Sequence, residues 1–178
     1  MKTTIFAFIS ILGLAISCSS PIDRLYSKLD LAIDRQDYYD QKFTQVKDSL
    51  TAILKSDKSD SLRWETAYML STMMLYHNLD SCYQYIRAME TLSGDNLRMK
   101  SISKVSHLQF LQKTDSIGTA LKAMEEITPS ELDTETFSLY CNAAYHIYLD
   151  LSGTSPEYMT KAKEILDQWW QRDSTNAR

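Results

Sequence analysis

The feature that most constrains the fold of this chain is its scarcity of residues that break helices. Gly occurs four times and Pro three times among 178 residues. Because these two residues mark most turns, their scarcity predicts helices joined by short connections. Leu25, Leu29 and Ile33 recur every four residues, which is the spacing of one helix face. The sequence therefore predicts an all-α fold.

The apolar spacing divides the chain into about eight helices. The expected ranges are 22–36, 39–55, 62–77, 80–93, 95–113, 115–127, 129–151 and 156–172. The first two are expected to fold back as a hairpin, with a single long bent helix as the alternative. The seventh is expected to start at a capping box, Thr128 to Glu131, or instead at Asp133 or Thr134. Gly94 stands where a left-handed residue commonly ends a helix.

The helices after residue 60 show the spacing of a repeat. Met73 and Leu108 are 35 residues apart, and Leu108 and Tyr145 are 37 apart. Tetratricopeptide repeats have a period of about 34 residues. We therefore expect antiparallel helix hairpins stacked as a tetratricopeptide-like solenoid in one domain, 22–172, followed by a frayed tail, 173–178. An irregular helical bundle is the alternative.

The N-terminus resembles a bacterial lipoprotein signal. An apolar run of 13 residues, Ile5 to Ser17, follows Lys2 and ends at Cys18. The run is shorter than the roughly 20 residues that span a bilayer, so a cleaved export signal is favoured over a membrane helix. The sequence predicts a signal peptide at 1–17, lipidation of Cys18 and a tether at 18–21. The pattern departs from the usual lipobox at Ala15, where Leu is common, and the alternative is a soluble exported protein.

The net charge and the N-terminal signal predict the partners and the location of the protein. The formal net charge is −4, without a basic cluster, so no nucleic-acid partner is expected. Attachment to the membrane is expected through the N-terminal lipid. Because no acidic run follows Cys18, we expect an outer-membrane lipoprotein of the cell envelope that faces the periplasm; a soluble periplasmic protein is the alternative.

The residues that carry chemistry form no catalytic or metal pattern. His77, His107 and His146 lack converging partners at zinc-site spacing. The sequence contains no Gly-x-Ser-x-Gly turn and no Gly-rich phosphate loop. We therefore expect no enzyme activity, no metal and no cofactor. Cys82 and Cys141 stand in helical patterns, which favours two buried free thiols over a disulfide.

The Tyr and Met content favours a binding surface, although filling of layers between repeats explains most of it. Met74, Gln109 and His146 occupy equivalent repeat positions and are the expected contacts in a groove. Of the adjacent Trp169 and Trp170, one ring can be buried while the other faces elsewhere. Trp170 either caps the end of the solenoid or marks a docking surface.

Three short segments carry a resemblance to a known family. They are LDLAIDRQDYY at 29–39, KDSL at 47–50 and DSCYQY at 80–85. They resemble the N-terminal periplasmic, tetratricopeptide-like sensor region of Gram-negative envelope transcription regulators, over most of residues 22–130. Those regulators continue through a membrane helix into a DNA-binding domain, and neither part follows in this sequence. The resemblance implies a stand-alone lipoprotein relative that would need another protein to signal.

These patterns together favour one function over another. The leading expectation is a lipid-anchored helical-repeat protein that binds a protein or peptide partner in the envelope, as a sensor or scaffold. The alternative is a nutrient- or glycan-binding accessory lipoprotein, which exposed Tyr or Trp rings in a shallow groove would favour.

Overall fold

The computed structural model of the protein describes residues 21–176 and is all-α, as expected. Helix makes up 83% of it, and those residues contain no strand. The α-helices are α1 Pro21–Asp34, α2 Gln36–Leu54, α3 Asp60–Met74, α4 Leu79–Leu92, α5 Leu97–Lys113, α6 Ile117–Glu125, α7 Thr134–Leu151 and α8 Pro156–Asn176, with a 3-10 helix, Pro129–Glu131, between α6 and α7.

The described part of the chain divides into two compact units between Val46 and Lys47, inside α2, and the domain bounds of 22–172 stay a prediction. Helix α8 continues to Asn176, four residues beyond the expected boundary at 172. The predicted signal peptide, 1–17, lies outside the described residues. So do Cys18 and the rest of the tether up to residue 20, while residue 21 already belongs to α1.

The expected hairpin of the first two helices is wrong. A single residue, Arg35, separates α1 from α2, and the amide of Tyr39 donates a helical hydrogen bond of 3.1 Å to the Arg35 carbonyl. One residue is too short a connection to reverse the chain between two antiparallel helices. The segment is a nearly continuous helix with an interruption at Arg35, which is the alternative that the sequence left open.

Several helices begin where a short polar side chain caps the free amides. The side chains that accept from an amide three residues later belong to Ser59, Asn78, Asn96 and Asp133. Asp133 therefore starts α7. The expected capping box at Thr128 instead leads into the 3-10 helix and makes no side-chain cap hydrogen bond.

Left-handed residues stand in two of the connections. Gly94 has a φ of +49°, after α4, as its position predicted, and Asp115 has a φ of 51°, before α6. Only glycine adopts this conformation without a steric penalty from its side chain. Asp115 therefore holds a conformation that glycine would take more easily.

The packing of the second unit follows the order of its helices. Each of α3, α4, α5 and α6 packs against the helix that follows it in the chain, and α7 packs against α8. In addition, α3 contacts α5 and α5 contacts α7, so the first helix of each pair touches the first helix of the next. This arrangement fits stacked helix pairs, in which each repeat buries its apolar face against its neighbour.

The buried side chains in the described part of this unit include two clusters. The larger one joins α5, α6, α7 and α8 around Leu108 and Ile147, and the smaller one joins α3, α4 and α5 around Trp64 and Met89. Cys82 and Cys141 are both buried free thiols, which confirms the prediction made from the helical pattern.

Candidate functional site

A cleft of about 300 Å³ lies where α3, α5 and α7 meet. These are the first helices of three successive pairs. The residues that line it include the second residue of each helix, since Ser61, Arg98 and Glu135 are 37 residues apart. The same spacing separates Glu65, Ile102 and Leu139, the sixth residue of each helix, which also line the cleft. The repeat therefore brings residues distant in sequence to one surface.

Two stacked rings form the wall that α3 contributes. The ring centroids of Trp64 and Tyr68 are 5.9 Å apart and the ring planes differ by 12°. Trp64 is 5% exposed, and its indole Nε1 donates to Oγ of Ser103 on α5 over 3.2 Å. Burial, followed by the charge of Glu135, raises the pKa of the Tyr68 hydroxyl. Tyr68 therefore keeps its proton and offers a hydrogen-bond donor at the edge of an apolar surface.

An ion pair forms the opposite edge of the cleft. Nε of Arg98 lies 2.8 Å from Oδ2 of Asp133, and its Nη2 lies 4.0 Å from Oε2 of Glu135. Oδ1 of Asp133 accepts from the amide of Thr136 over 2.8 Å. The hydrogen bond from that amide, with help from Arg98, lowers the pKa of Asp133 to about 2. The edge therefore presents fixed charges of both signs at neutral pH.

The residues that line the cleft combine apolar, donor and acceptor groups. Its rings offer apolar area, Arg98 offers several donors in a rigid plane, and Glu65 and Glu135 offer acceptors. Tyr, Trp and Arg are the residues that contribute most binding energy at protein interfaces. The arrangement can hold a segment that has both an apolar side chain and polar backbone groups.

The predicted contact residues do not line this cleft. Met74 is 4% exposed and packs inside the core, so its prediction as a surface contact is wrong. Gln109 is half-buried on α5, and His146 is exposed on α7 with its ring 5.3 Å from that of Tyr145. These three positions lie in the later turns of their helices, whereas the cleft is formed by the earlier turns.

The two adjacent tryptophans differ in burial, as expected. Trp169 is half-buried against the larger core cluster, and Trp170 is 77% exposed. This confirms that one ring packs inward while its neighbour faces elsewhere. Trp170 lies on α8 and is not among the residues that line the cleft.

The sequence contained one signal for the residues that were missed. Arg98 and Glu135 are 37 residues apart, as Leu108 and Tyr145 are, but each lies ten residues earlier. Periodicity alone does not say which turn of each helix faces a cleft, because every turn of a repeat recurs at the same interval. The positions with mixed aromatic and charged residues were the better choice.

The three histidines lie apart from this cleft. His107 lines a second depression of about 260 Å³ between α4, α5 and α6, where its Nδ1 lies 3.2 Å from Oε1 of Glu90. The other carboxylate oxygen of Glu90 lies 2.6 Å from Nη1 of Arg87. Within residues 21–176, no three His, Cys, Asp or Glu side chains converge on a point that could hold a metal ion.

A search of the described helices for one long and apolar enough to cross a bilayer finds none. No protein-family model, curated protein or solved structure matches the chain. The resemblance to envelope sensor regions therefore stays a prediction.

Proposed function

We propose that this protein binds a protein or peptide segment in the cleft between α3, α5 and α7. The observation that carries the proposal is that equivalent positions of three successive helix pairs line one cleft. Helical-repeat proteins bind partners on surfaces that successive repeats build in common. A segment lying across the three helices would contact each repeat in turn.

The size and composition of the cleft support a peptide rather than a buried small molecule. Its volume of about 300 Å³ is at the lower limit of pockets that enclose a small ligand, roughly 300–1,000 Å³. The wall of Trp64 and Tyr68 suits one apolar side chain of the segment. Arg98 and Glu135, at the edge, suit its carbonyl and amide groups.

The location of this activity is part of the proposal. Lipidation of Cys18 would hold the protein at the periplasmic face of the outer membrane and bring the cleft to partners in the envelope, where a sensor or scaffold would act. A Cys18→Ala variant should then leave the membrane fraction of fractionated cells and appear in the soluble fraction. An unchanged distribution would contradict the lipid anchor, but it would not contradict the proposed binding in the cleft.

A photo-crosslinker tests the binding site directly. Benzoylphenylalanine replaces Leu139, which lines the cleft, or Lys163, which is exposed on α8, in the full chain expressed in its own cells. Irradiation should give a discrete protein adduct from position 139 and none from position 163. The same adducts from both positions would show that the contact is not made in the cleft.

Two tyrosine variants test whether the crosslink depends on the wall of the cleft. Tyr68→Ala removes one ring of the cleft wall, whereas Tyr76→Ala removes a ring that is 75% exposed and does not line the cleft. The adduct from position 139 should disappear with the first variant and persist with the second. Equal loss with both variants would refute the site.

One observation favours the second candidate function, glycan binding. Trp170 exposes 77% of its surface on α8, and exposed rings are common platforms for sugars. Binding to a glycan array that is lost in Trp170→Ala and retained in Tyr68→Ala would assign this function instead of the peptide function.

A further inference from the structure

The first unit carries an apolar stripe that nothing in its described part buries. Helices α1 and α2 contain no buried residue. Ile22, Leu25, Leu29 and Val46 are 62%, 65%, 54% and 48% exposed. Monomeric soluble proteins rarely expose a continuous apolar surface of this kind, and such surfaces mark interaction sites.

One seam of this exposed apolar surface follows a seven-residue repeat, and Tyr26, Leu31, Ile33 and Tyr38 lie beside it. In heptad notation, the a positions are Ile22, Leu29, Gln36 and Phe43, and the d positions are Leu25, Ala32, Tyr39 and Val46. The a positions on both sides of the interruption at Arg35 keep a spacing of seven in the sequence. A seam with this period winds gently around its helix and is matched by another helix with the same period.

We propose that residues 21–46 pair with the same residues of a second copy of this chain as a parallel, two-stranded coiled coil. The polar Gln36 lies at a single a position. In a parallel pair in register, the two Gln36 side chains meet and hydrogen-bond to each other. Any other register places Gln36 against an apolar residue, so this position selects the alignment.

The charges beside the seam favour the parallel direction. Lys28, Arg35 and Lys42 all occupy g positions, and an antiparallel pair would place these cations against one another. In the parallel pair, Arg35 of one copy faces Asp40 of the other, an attractive g-to-e contact. The next such contact, Lys42 to Lys47, is repulsive, but Nζ of Lys42 lies 5.7 Å from the centre of the Tyr38 ring of its own chain, which draws it away from the seam.

The charge of residues 21–46 argues against a lipid surface as the binding partner of the apolar stripe. Residues 21–46 hold five Asp and four Lys or Arg. Helices that lie on membranes usually concentrate Lys and Arg on their polar face. Acidic and basic residues in nearly equal number suit a helix partner that carries the same set.

Cysteine crosslinking tests the pairing in the full chain carrying Cys18→Ser, purified in mild detergent. Leu25→Cys places a thiol at a d position, and Ser27→Cys places one on the outward face of the same helix. Cys82 and Cys141 are buried and stay out of the reaction. Under mild oxidation, Leu25→Cys should form an interchain disulfide about tenfold faster than Ser27→Cys, because pairing raises the local thiol concentration.

A second pair of variants tests whether disulfide formation depends on the apolar a and d positions. Adding Leu29→Asp should reduce crosslinking of Leu25→Cys to the rate of Ser27→Cys, whereas Gln41→Asp, on the outward face, should leave it unchanged. Leu29 is already exposed, so this change does not unfold the chain, and circular dichroism confirms that. Equal rates for Leu25→Cys and Ser27→Cys would overturn the proposal. So would a disulfide that forms only when Leu25→Cys is mixed with Phe43→Cys, since that pairing is antiparallel.

Discussion

Nε of Arg98, on α5, lies 2.8 Å from Oδ2 of Asp133, the residue that caps α7. The two residues are 35 positions apart in the chain, about the length of one repeat. The same carboxylate therefore starts a helix through one oxygen and fixes the edge of the cleft through the other. Local structure and the candidate binding site depend on one side chain.

Substitution of Asp133 should separate these two roles. Asp133→Ala removes the cap and should lower the free energy of unfolding by about 1 kcal/mol, whereas Asp133→Asn keeps a capping oxygen and should lower it by less. Urea unfolding followed by circular dichroism measures both values. Equal losses in the two variants would mean that the cap contributes little.

The effect of Asp133 should also depend on pH. Its pKa is lowered from an ordinary value of 3.8 to about 2 by the Thr136 amide and by Arg98. A carboxylate with a lowered pKa stabilises the folded state above its ordinary pKa, and this contribution is lost as the pH falls through the folded value. The stability difference between Asp133→Ala and the unchanged chain should therefore shrink between pH 4 and pH 2. A difference that stays constant over this range would contradict the assignment.

Two tryptophans offer a matched comparison of buried and exposed rings. Trp64 is 5% exposed and bonded to Ser103, whereas Trp170 is 77% exposed. Trp64→Ala should reduce the free energy of unfolding by about 3–5 kcal/mol, and Trp170→Ala by less than about 0.5 kcal/mol. Denaturant unfolding compares them. Similar losses would show that Trp64 does not belong to the core.

Two glycines should respond to the same substitution with opposite signs. Gly94 has a φ of +49°, so Gly94→Ala should destabilise the fold by about 1 kcal/mol even though nothing lies within 4 Å of the added atom. Gly118 lies in α6 with open space around it, so Gly118→Ala should stabilise the fold by about 0.5 kcal/mol. Thermal unfolding of the two variants gives the sign of each change.

The buried thiols should be inert in the folded protein. Burial raises the pKa of Cys82 and of Cys141 to about 11, and the thiolate is the reactive form. In a Cys18→Ser chain at pH 8, an aromatic disulfide reagent should label neither thiol until denaturant is added. An added Ser27→Cys thiol is the positive control, since Ser27 is exposed. Rapid labelling of the other two thiols without denaturant would contradict their burial.

The sequence predicted the features that depend on residues close to one another along the chain. Helix class and the left-handed Gly94 depend on contacts within one or two turns, and these are visible as spacing. The start of α7 was left open between Thr128 and Asp133. Both have capping chemistry, but only Asp133 also meets Arg98, a residue one repeat away.

The sequence did not predict the cleft for a related reason. Two of the predicted contacts, Gln109 and His146, are 37 residues apart, just as Arg98 and Glu135 are. Which register faces a cleft depends on how α3, α5 and α7 converge, a property of packing between repeats. The predicted hairpin of α1 and α2 is wrong because no Gly or Pro interrupts the helix near Arg35, and the Tyr39 amide donates a helical hydrogen bond to the Arg35 carbonyl.

The buried hydroxyl of Ser103 holds the aromatic wall of the cleft in place. It accepts a hydrogen bond from indole Nε1 of Trp64, lies 3.2 Å from Oγ of Ser93 after α4, and donates to the Met99 carbonyl over 2.8 Å. One buried hydroxyl thus connects three successive helices beneath the aromatic wall of the cleft. A ligand entering there would meet a wall already fixed in its orientation, so little conformational entropy would be lost on binding.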